Sequence, residues 1–194
     1  MAWSEPVRAA AEPTASAKLL VAGGFGVGKT TAVNAVSEIE VLSTEAVMTG
    51  ASIGVDDLGP LPHKATTTVA MDYGRLTLDD GLRLYLFGTP GQDRFWMMWD
   101  ELARGALGAL VLVDTRRLEK SFAALNYFEE RNDIPYTVAV NAFDGMVTHP
   151  LSEVRDALNL AMHIPLTVID ARETDDVLQA LTGLLDHALN TVYV

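Results

Sequence analysis

The sequence predicts an α/β fold, a mostly parallel six-stranded sheet with one antiparallel edge strand and helices on both faces. Three observations lead there. Short apolar runs alternate with helix-spaced stretches, the order that gives parallel strands joined by crossover helices. A glycine-rich turn joins the first apolar run directly to the first helical stretch. One pair of strands is joined by Asp79-Asp80-Gly81, a hairpin signal, so one strand must run antiparallel.

The elements follow in order. Residues 1–17, rich in Ala, Pro, Ser and Glu, read as a flexible tail ahead of one domain, 18–194. Lys18–Ala22 is an apolar run that stops at glycines, as a buried parallel strand does. Val33, Val36 and Ile39 stand at helical spacing after Lys29, so a helix follows. Residues 43–65, with three glycines and two prolines, read as a long surface loop. Thr66–Leu78 and Leu82–Phe87 form the hairpin, and 94–108 leads into a helix. Ala109–Val113 is a buried strand, followed by a helix through Arg131. Tyr136–Val140 is a strand, Ser152–Met162 a helix and Leu166–Ile169 the last strand. Thr174–Leu189 closes the chain, its Val177, Leu178, Leu181, Leu184, Leu185 and Leu189 forming one stripe behind a Thr174 or Asp175 cap.

Composition narrows the function. Of 194 residues 49% are hydrophobic, which suits a packed core. There is no cysteine, so thiolate metal sites and disulfides are excluded. Fourteen basic against twenty-six acidic residues give a net charge of −12 with no basic patch, which disfavours nucleic acid and anionic lipid as direct ligands. The tail lacks the basic start and apolar run of a signal peptide, and Ala2 does not accept a myristoyl group. No apolar run approaches the roughly 20 residues that span a bilayer, so the expected location is cytoplasmic, with any membrane contact brought by partners.

Gly23-Gly24-Phe25-Gly26-Val27-Gly28-Lys29-Thr30 matches G-x-x-x-x-G-K-[ST] in full, with a strand before it and a helix after it. Glycines let successive backbone N–H groups turn inward onto phosphate oxygens, and the helix adds the positive end of its dipole. Lys29 is expected on the β- and γ-phosphates, Thr30 on Mg²⁺ and Thr31 near the α-phosphate.

Four further segments stand at strand ends: Thr66-Thr67-Thr68, Gly88-Thr89-Pro90-Gly91-Gln92, Asn141-Ala142-Phe143-Asp144 and Asp170-Ala171-Arg172. With the glycine loop they resemble the Ras-like small GTPases, which share the P-loop NTPase fold, from Lys18 to about Leu189. The resemblance implies GTP/GDP and Mg²⁺ as cofactors and slow hydrolysis of GTP. Thr68, with Thr67 as the next choice, takes the place of the switch I threonine that binds Mg²⁺. Gly91 N–H is placed on the γ-phosphate, and Gln92 is placed to orient the attacking water. Asp144 is placed on the guanine N1–H and exocyclic amine, beside Asn141, with the Ala171 N–H on O6 and Arg172 next to it. A base lacking that donor pair would leave a carboxylate unpaired at a cost of about 1–3 kcal/mol.

Three positions depart from the pattern. Gly88 stands where the family has an aspartate near Mg²⁺, and Ala142 stands where a lysine stem stacks on the base. Thr67 stands where one group of relatives has an arginine, with Lys64 and Arg94 the available substitutes. The T-P-G-Q wording is similar to prokaryotic small GTPases of the Mgl type, and TTTVAMDYG, FGTPGQDRFWMMWDELARGALGALVLVDTRR and VNAFD to those of actinomycete conservons. That similarity implies a signalling switch with a roadblock/LC7-type regulator and a membrane sensor-kinase-like protein as partners. Arg94–Leu102 offers aromatic and Met side chains to such partners, with Phe95, Trp99 and Leu102 expected inward. Two other readings stay open: a nucleotide-binding module without effective hydrolysis, and an ATP-using P-loop enzyme.

Overall fold

The computed structural model describes residues 15–48, 67–78, 81–91, 98–131 and 133–192. β1 (Ala15–Gly23) runs into α1 (Lys29–Val36), and β2 (Leu42–Met48), β3 (Thr67–Thr77) and β4 (Leu82–Gly88) follow. Next come α2 (Trp99–Ala103), β5 (Gly108–Val113), a 3-10 segment (Thr115–Lys120) and α3 (Phe122–Glu130). β6 (Tyr136–Asn141), a short 3-10 turn (Phe143–Gly145), α4 (Leu151–Ala157), β7 (Leu166–Ile169) and α5 (Thr174–Val192) complete the chain.

The strands form one sheet in the order β2-β3-β4-β1-β5-β6-β7. β1, β4, β5, β6 and β7 pair in parallel, while β3 is antiparallel to both of its neighbours. The sheet thus has seven strands where six were expected, and the antiparallel strand lies second from the edge. The extra strand is β2, inside the stretch read as loop. Its sequence, LSTEAVM, mixes polar and apolar residues without a clean alternation, and an edge strand needs none. β1 begins at Ala15, three residues before the expected strand.

Alternation along β1 divides the core. Leu20 and Ala22 face one layer with Val111, Leu125, Phe128, Val138 and Trp99. Leu19 and Val21 face the other with Leu84, Leu86, Val33, Leu181 and Leu184 of β4, α1 and α5. Residues of both layers are almost wholly excluded from water, as a sheet covered on both faces requires.

Two helices differ from expectation at their ends. α4 stops at Ala157, and Asn159 takes a left-handed conformation (φ 51°). Arg155 then holds the following segment by donating to the carbonyls of Ala161 at 2.7 Å and Ile164 at 3.0 Å. In α5 the Thr174 hydroxyl does not cap its own helix; it donates to the Ala35 carbonyl at 2.8 Å and fastens α5 to the end of α1. Leu189, placed on the apolar stripe, is 51% exposed, and Ala188 takes the buried position on that turn. Among the described residues no helix is long and apolar enough to cross a membrane.

Candidate functional site

The glycine loop leaves the tip of β1 and ends on the first turn of α1. At its start there is no room for a side chain: Gly23 sits at φ 132°, and a β-carbon there would stand 2.4 Å from the Leu112 carbonyl oxygen. Lys29 folds back beneath the loop, its Nζ donating to Gly23 O at 2.9 Å and Gly24 O at 2.7 Å. The side chain is nearly buried. Burial lowers its pKa to about 8, and the nearby Asp72 carboxylate partly offsets the shift. Gly91 closes over this point. A β-carbon on it would stand 2.6 Å from Lys29 Nζ and 2.8 Å from the Phe25 amide nitrogen, so no other residue fits. The Trp99 indole donates to Pro90 O at 3.2 Å, tying α2 to the turn that carries Gly91. Trp99 and Leu102 are buried, as the sequence suggested.

Asp72 is the residue that reading the sequence missed. It sits on β3 directly across from Gly88 on β4. Its Oδ2 accepts from the Thr30 hydroxyl at 2.5 Å and its Oδ1 from the Ser43 hydroxyl at 2.8 Å. A β-carbon on Gly88 would stand 3.0 Å from that Oδ2 and 3.1 Å from the Asp72 β-carbon. The two positions therefore compete for one space, and the carboxylate comes from the neighbouring strand. The only sequence signal was Asp72 within a strand of apolar and hydroxyl residues, where a charge is out of place.

The same cleft, about 370 Å³, is lined by Phe25, Gly28, Thr31, Asp72, Thr89 and Phe143 among others. Thr89 is buried, and among the described residues its hydroxyl has no hydrogen-bond partner. A carboxylate and hydroxyls of this kind are the hard oxygen donors that Mg²⁺ takes, with the remaining positions filled by water and phosphate. The residues present fit that ion. Among the described residues no cluster of three His, Cys, Asp or Glu side chains offers an all-protein cage.

At the base end, Asn141 is committed to structure. Its Nδ2 donates to Val27 O at 2.9 Å and its Oδ1 accepts from Ala171 N–H at 3.0 Å. The Ala171 amide expected on a guanine O6 is thus held by Asn141. Asp144 adopts a left-handed conformation (φ 57°, ψ 31°), which aspartate tolerates in turns. Its carboxylate is largely exposed, with Arg172 Nη1 at 3.4 Å. Arg172 also pairs with Asp170 at 2.6 Å, and these hydrogen bonds hold the Asp170 carboxyl down to about 2. Asp144 borders a smaller hollow of about 70 Å³ together with Asp114, Arg116 and Phe143. Phe143 lines both hollows, so the one lined by the phosphate loop and the one bordered by Asp144 adjoin at that residue.

Thr68 lies in β3 paired with Val47. Gln92, Lys64, Arg94, Phe95 and Trp96 lie outside the described residues. A hollow of about 250 Å³ on another part of the surface, between Phe128, Tyr136, His163 and His187, includes no residue of the glycine loop.

The fold has close structural counterparts. The chain superposes on the cytosolic domain of the T. maritima FeoB iron transporter in apo form with a TM-score of 0.60 at 18% identity, covering 89% of this chain and 64% of that one. It thus spans less than two thirds of that protein chain. Against the G domain of the same transporter the TM-score is 0.56 at 19% identity, covering 91% of this chain and 99% of the other. In sequence, the uncharacterized protein MJ1339 of Methanocaldococcus jannaschii is 32% identical over 128 residues, 66% of this chain and 70% of its own. This is a P-loop nucleotide-binding protein with a G-domain-like fold. Residues 21–191 match the family described as conserved hypothetical ATP binding protein, and the chain belongs to that family.

Proposed function

We propose that this protein is a small GTPase acting as a molecular switch, binding guanine nucleotide with Mg²⁺ and hydrolysing GTP slowly. The observation that carries the reading is the pair of adjoining hollows, with the glycine loop and Lys29 in one, Asp144 in the other and Phe143 bordering both. Loop amides, Lys29 and Thr31 bind the phosphates. Thr30 and Asp72 would hold Mg²⁺, which would supply positive charge against the phosphate oxygens. Thr68, four residues before Asp72 on β3 and so roughly 13 Å along the strand, would join them only after β3 shifts. Gly91 meets the γ-phosphate and Gln92 orients the water. Asp144 accepts from the guanine edge once Arg172 gives way, and this contact selects the base.

The signalling role, the roadblock/LC7-type regulator, the sensor-kinase-like partner and recruitment to a membrane rest on the wording shared with the Mgl and conservon GTPases. The Gly91 turn, pressed on Lys29 and Phe25 and tied to α2 through Trp99, supports a nucleotide-sensitive switch.

A second reading has its own support: an ATP-binding protein. The family description names ATP, and the Ala171 amide is already engaged. Competition of GTP and ATP against a fluorescent guanine nucleotide separates the two. The switch reading expects GTP to displace the probe at concentrations at least about 100-fold below ATP. Displacement by ATP at equal concentration would replace it. Single-turnover phosphate release, with and without a roadblock-type protein, then tells a working GTPase from a module that only binds.

A further inference from the structure

The lysine whose stem would stack on the base is Ala142, and Ala142 is buried. Another cation stands beside the base hollow. Asp114, 3% exposed, lies just past the end of β5. Its Oδ1 accepts from Arg116 Nε at 2.9 Å and from the Arg116 amide at 3.0 Å, while its Oδ2 accepts from Arg116 Nη2 at 3.0 Å. A two-point fork of this kind fixes the plane of a guanidinium as well as its position. That plane lies over the Phe143 ring, with 3.7 Å from the guanidinium carbon to the ring centroid. Both side chains border the hollow that contains Asp144. Half of the Arg116 side chain remains exposed. The same carboxylate also holds Arg117, whose Nη2 comes within 3.4 Å of where a β-carbon on Gly26 would stand. One buried acid thus anchors cations beside both the base hollow and the phosphate loop.

We propose that Arg116, anchored by Asp114 and backed by Phe143, is the stacking wall of the purine site and takes over the task of the absent lysine. A flat, weakly hydrated cation stacks on a purine face where an alanine cannot. The inference rests on the guanine-nucleotide reading. Arg116 supplies affinity for a purine ring, and Asp144 supplies the choice between purines.

The test is the dissociation constants of GMP, GDP and GTP for wild type, Arg116→Ala, Arg116→Lys and Phe143→Leu. Each protein is first melted without nucleotide to show that it folds. Arg116→Ala is expected to weaken GDP and GTP by the same factor, about tenfold. Arg116→Lys, which keeps the charge without the plane, recovers only part of the loss. Phe143→Leu, which keeps the bulk without the ring, loses several-fold. An unchanged constant in Arg116→Ala overturns the inference alone. So does a loss that grows from GMP to GTP, since Arg116 would then be a phosphate ligand. Wild type that binds no guanine nucleotide overturns the parent reading first.

Discussion

Asp72 and Lys29 decide what the phosphate end of the groove can do. Asp72 receives the Thr30 hydroxyl at 2.5 Å, so the carboxylate near the proposed Mg²⁺ position comes from β3 while β4 offers only Gly88. Asp72→Asn keeps the shape and removes the charge. The expected outcome is Mg²⁺ binding weakened about 10–100-fold in a titration of nucleotide affinity against Mg²⁺, with Mg²⁺-free binding little changed. An unaltered Mg²⁺ midpoint would show that Asp72 only braces Thr30. Lys29 gives a pH signature. Burial lowers its pKa from 10.5 to about 8 in the nucleotide-free fold. Between those two values the unfolded chain holds a proton that the folded lysine has lost, so stability rises with pH across that window. Below pH 8 both states are protonated and the burial cost is constant. Phosphate oxygens favour the charged form, so binding draws the proton back. Nucleotide affinity is therefore expected to be flat below about pH 7.5 and to fall by up to about tenfold per unit above pH 8. Lys29→Met should bind weakly at every pH and lose this dependence. Lys29 and Thr30 were legible in the sequence because a local motif specifies them. Asp72 was not, because its partner Gly88 is brought opposite it only by strand register.

Between elements, two contacts assemble the groove. Asn141 at the end of β6 joins the phosphate loop, through Val27 O, to the Asp170-Ala171-Arg172 turn, through the Ala171 amide. Asn141→Ala leaves a buried carbonyl and a buried amide unpaired, and a loss of about 3 kcal/mol in unfolding free energy is expected from denaturant titration. Guanine and adenine nucleotides should weaken together, since the variant loosens both ends of the groove. The facing strands β3 and β4 carry the second. Gly88→Asp forces a side chain into contact with Asp72 and should cost about 1–3 kcal/mol. Combining it with Asp72→Gly moves the carboxylate from one strand to the other. Melting temperature and Mg²⁺-dependent binding should return together in the double variant; recovery of stability without Mg²⁺ dependence would contradict the exchange. Elements with strong patterns, β1, β5, β6 and α5, were readable because buried strands are near-continuously apolar and α5 repeats at helical spacing. β7, an edge strand with one buried residue, showed through its Leu, Val and Ile alone. β2 was not, because an edge strand with Ser, Thr and Glu carries no such pattern. The end of α4 was not, because it depends on Asn159 turning left-handed and on Arg155 bonding to distant carbonyls.

At the scale of the whole molecule, a sheet with two covered faces carries the loops of the groove at the carboxyl ends of its parallel strands. The tips of β1, β4, β5 and β6 bring the glycine loop, Gly91, Asp114 and Asp144 around one groove, as ligands gather at the carboxyl ends of parallel strands in such sheets. The net charge of −12 leaves Lys29, Arg116, Arg117 and Arg172 as local cations in an acidic molecule. Phosphate binding therefore depends on the local cradle, and the molecule's overall field does not draw an anion in. On the proposed reading, the exposed Asp144 carboxylate is what would make the groove a guanine-nucleotide site. Changing that acid to an amide turns one of its two acceptors into a donor, which suits a carbonyl in place of the exocyclic amine of guanine. The most direct measurement is the affinity of wild type and Asp144→Asn for GDP and for xanthosine diphosphate. Wild type should prefer GDP and the variant the xanthine nucleotide, with the fold unchanged. Equal affinities in both proteins, or an Asp144→Asn variant that still prefers GDP, would contradict the guanine reading.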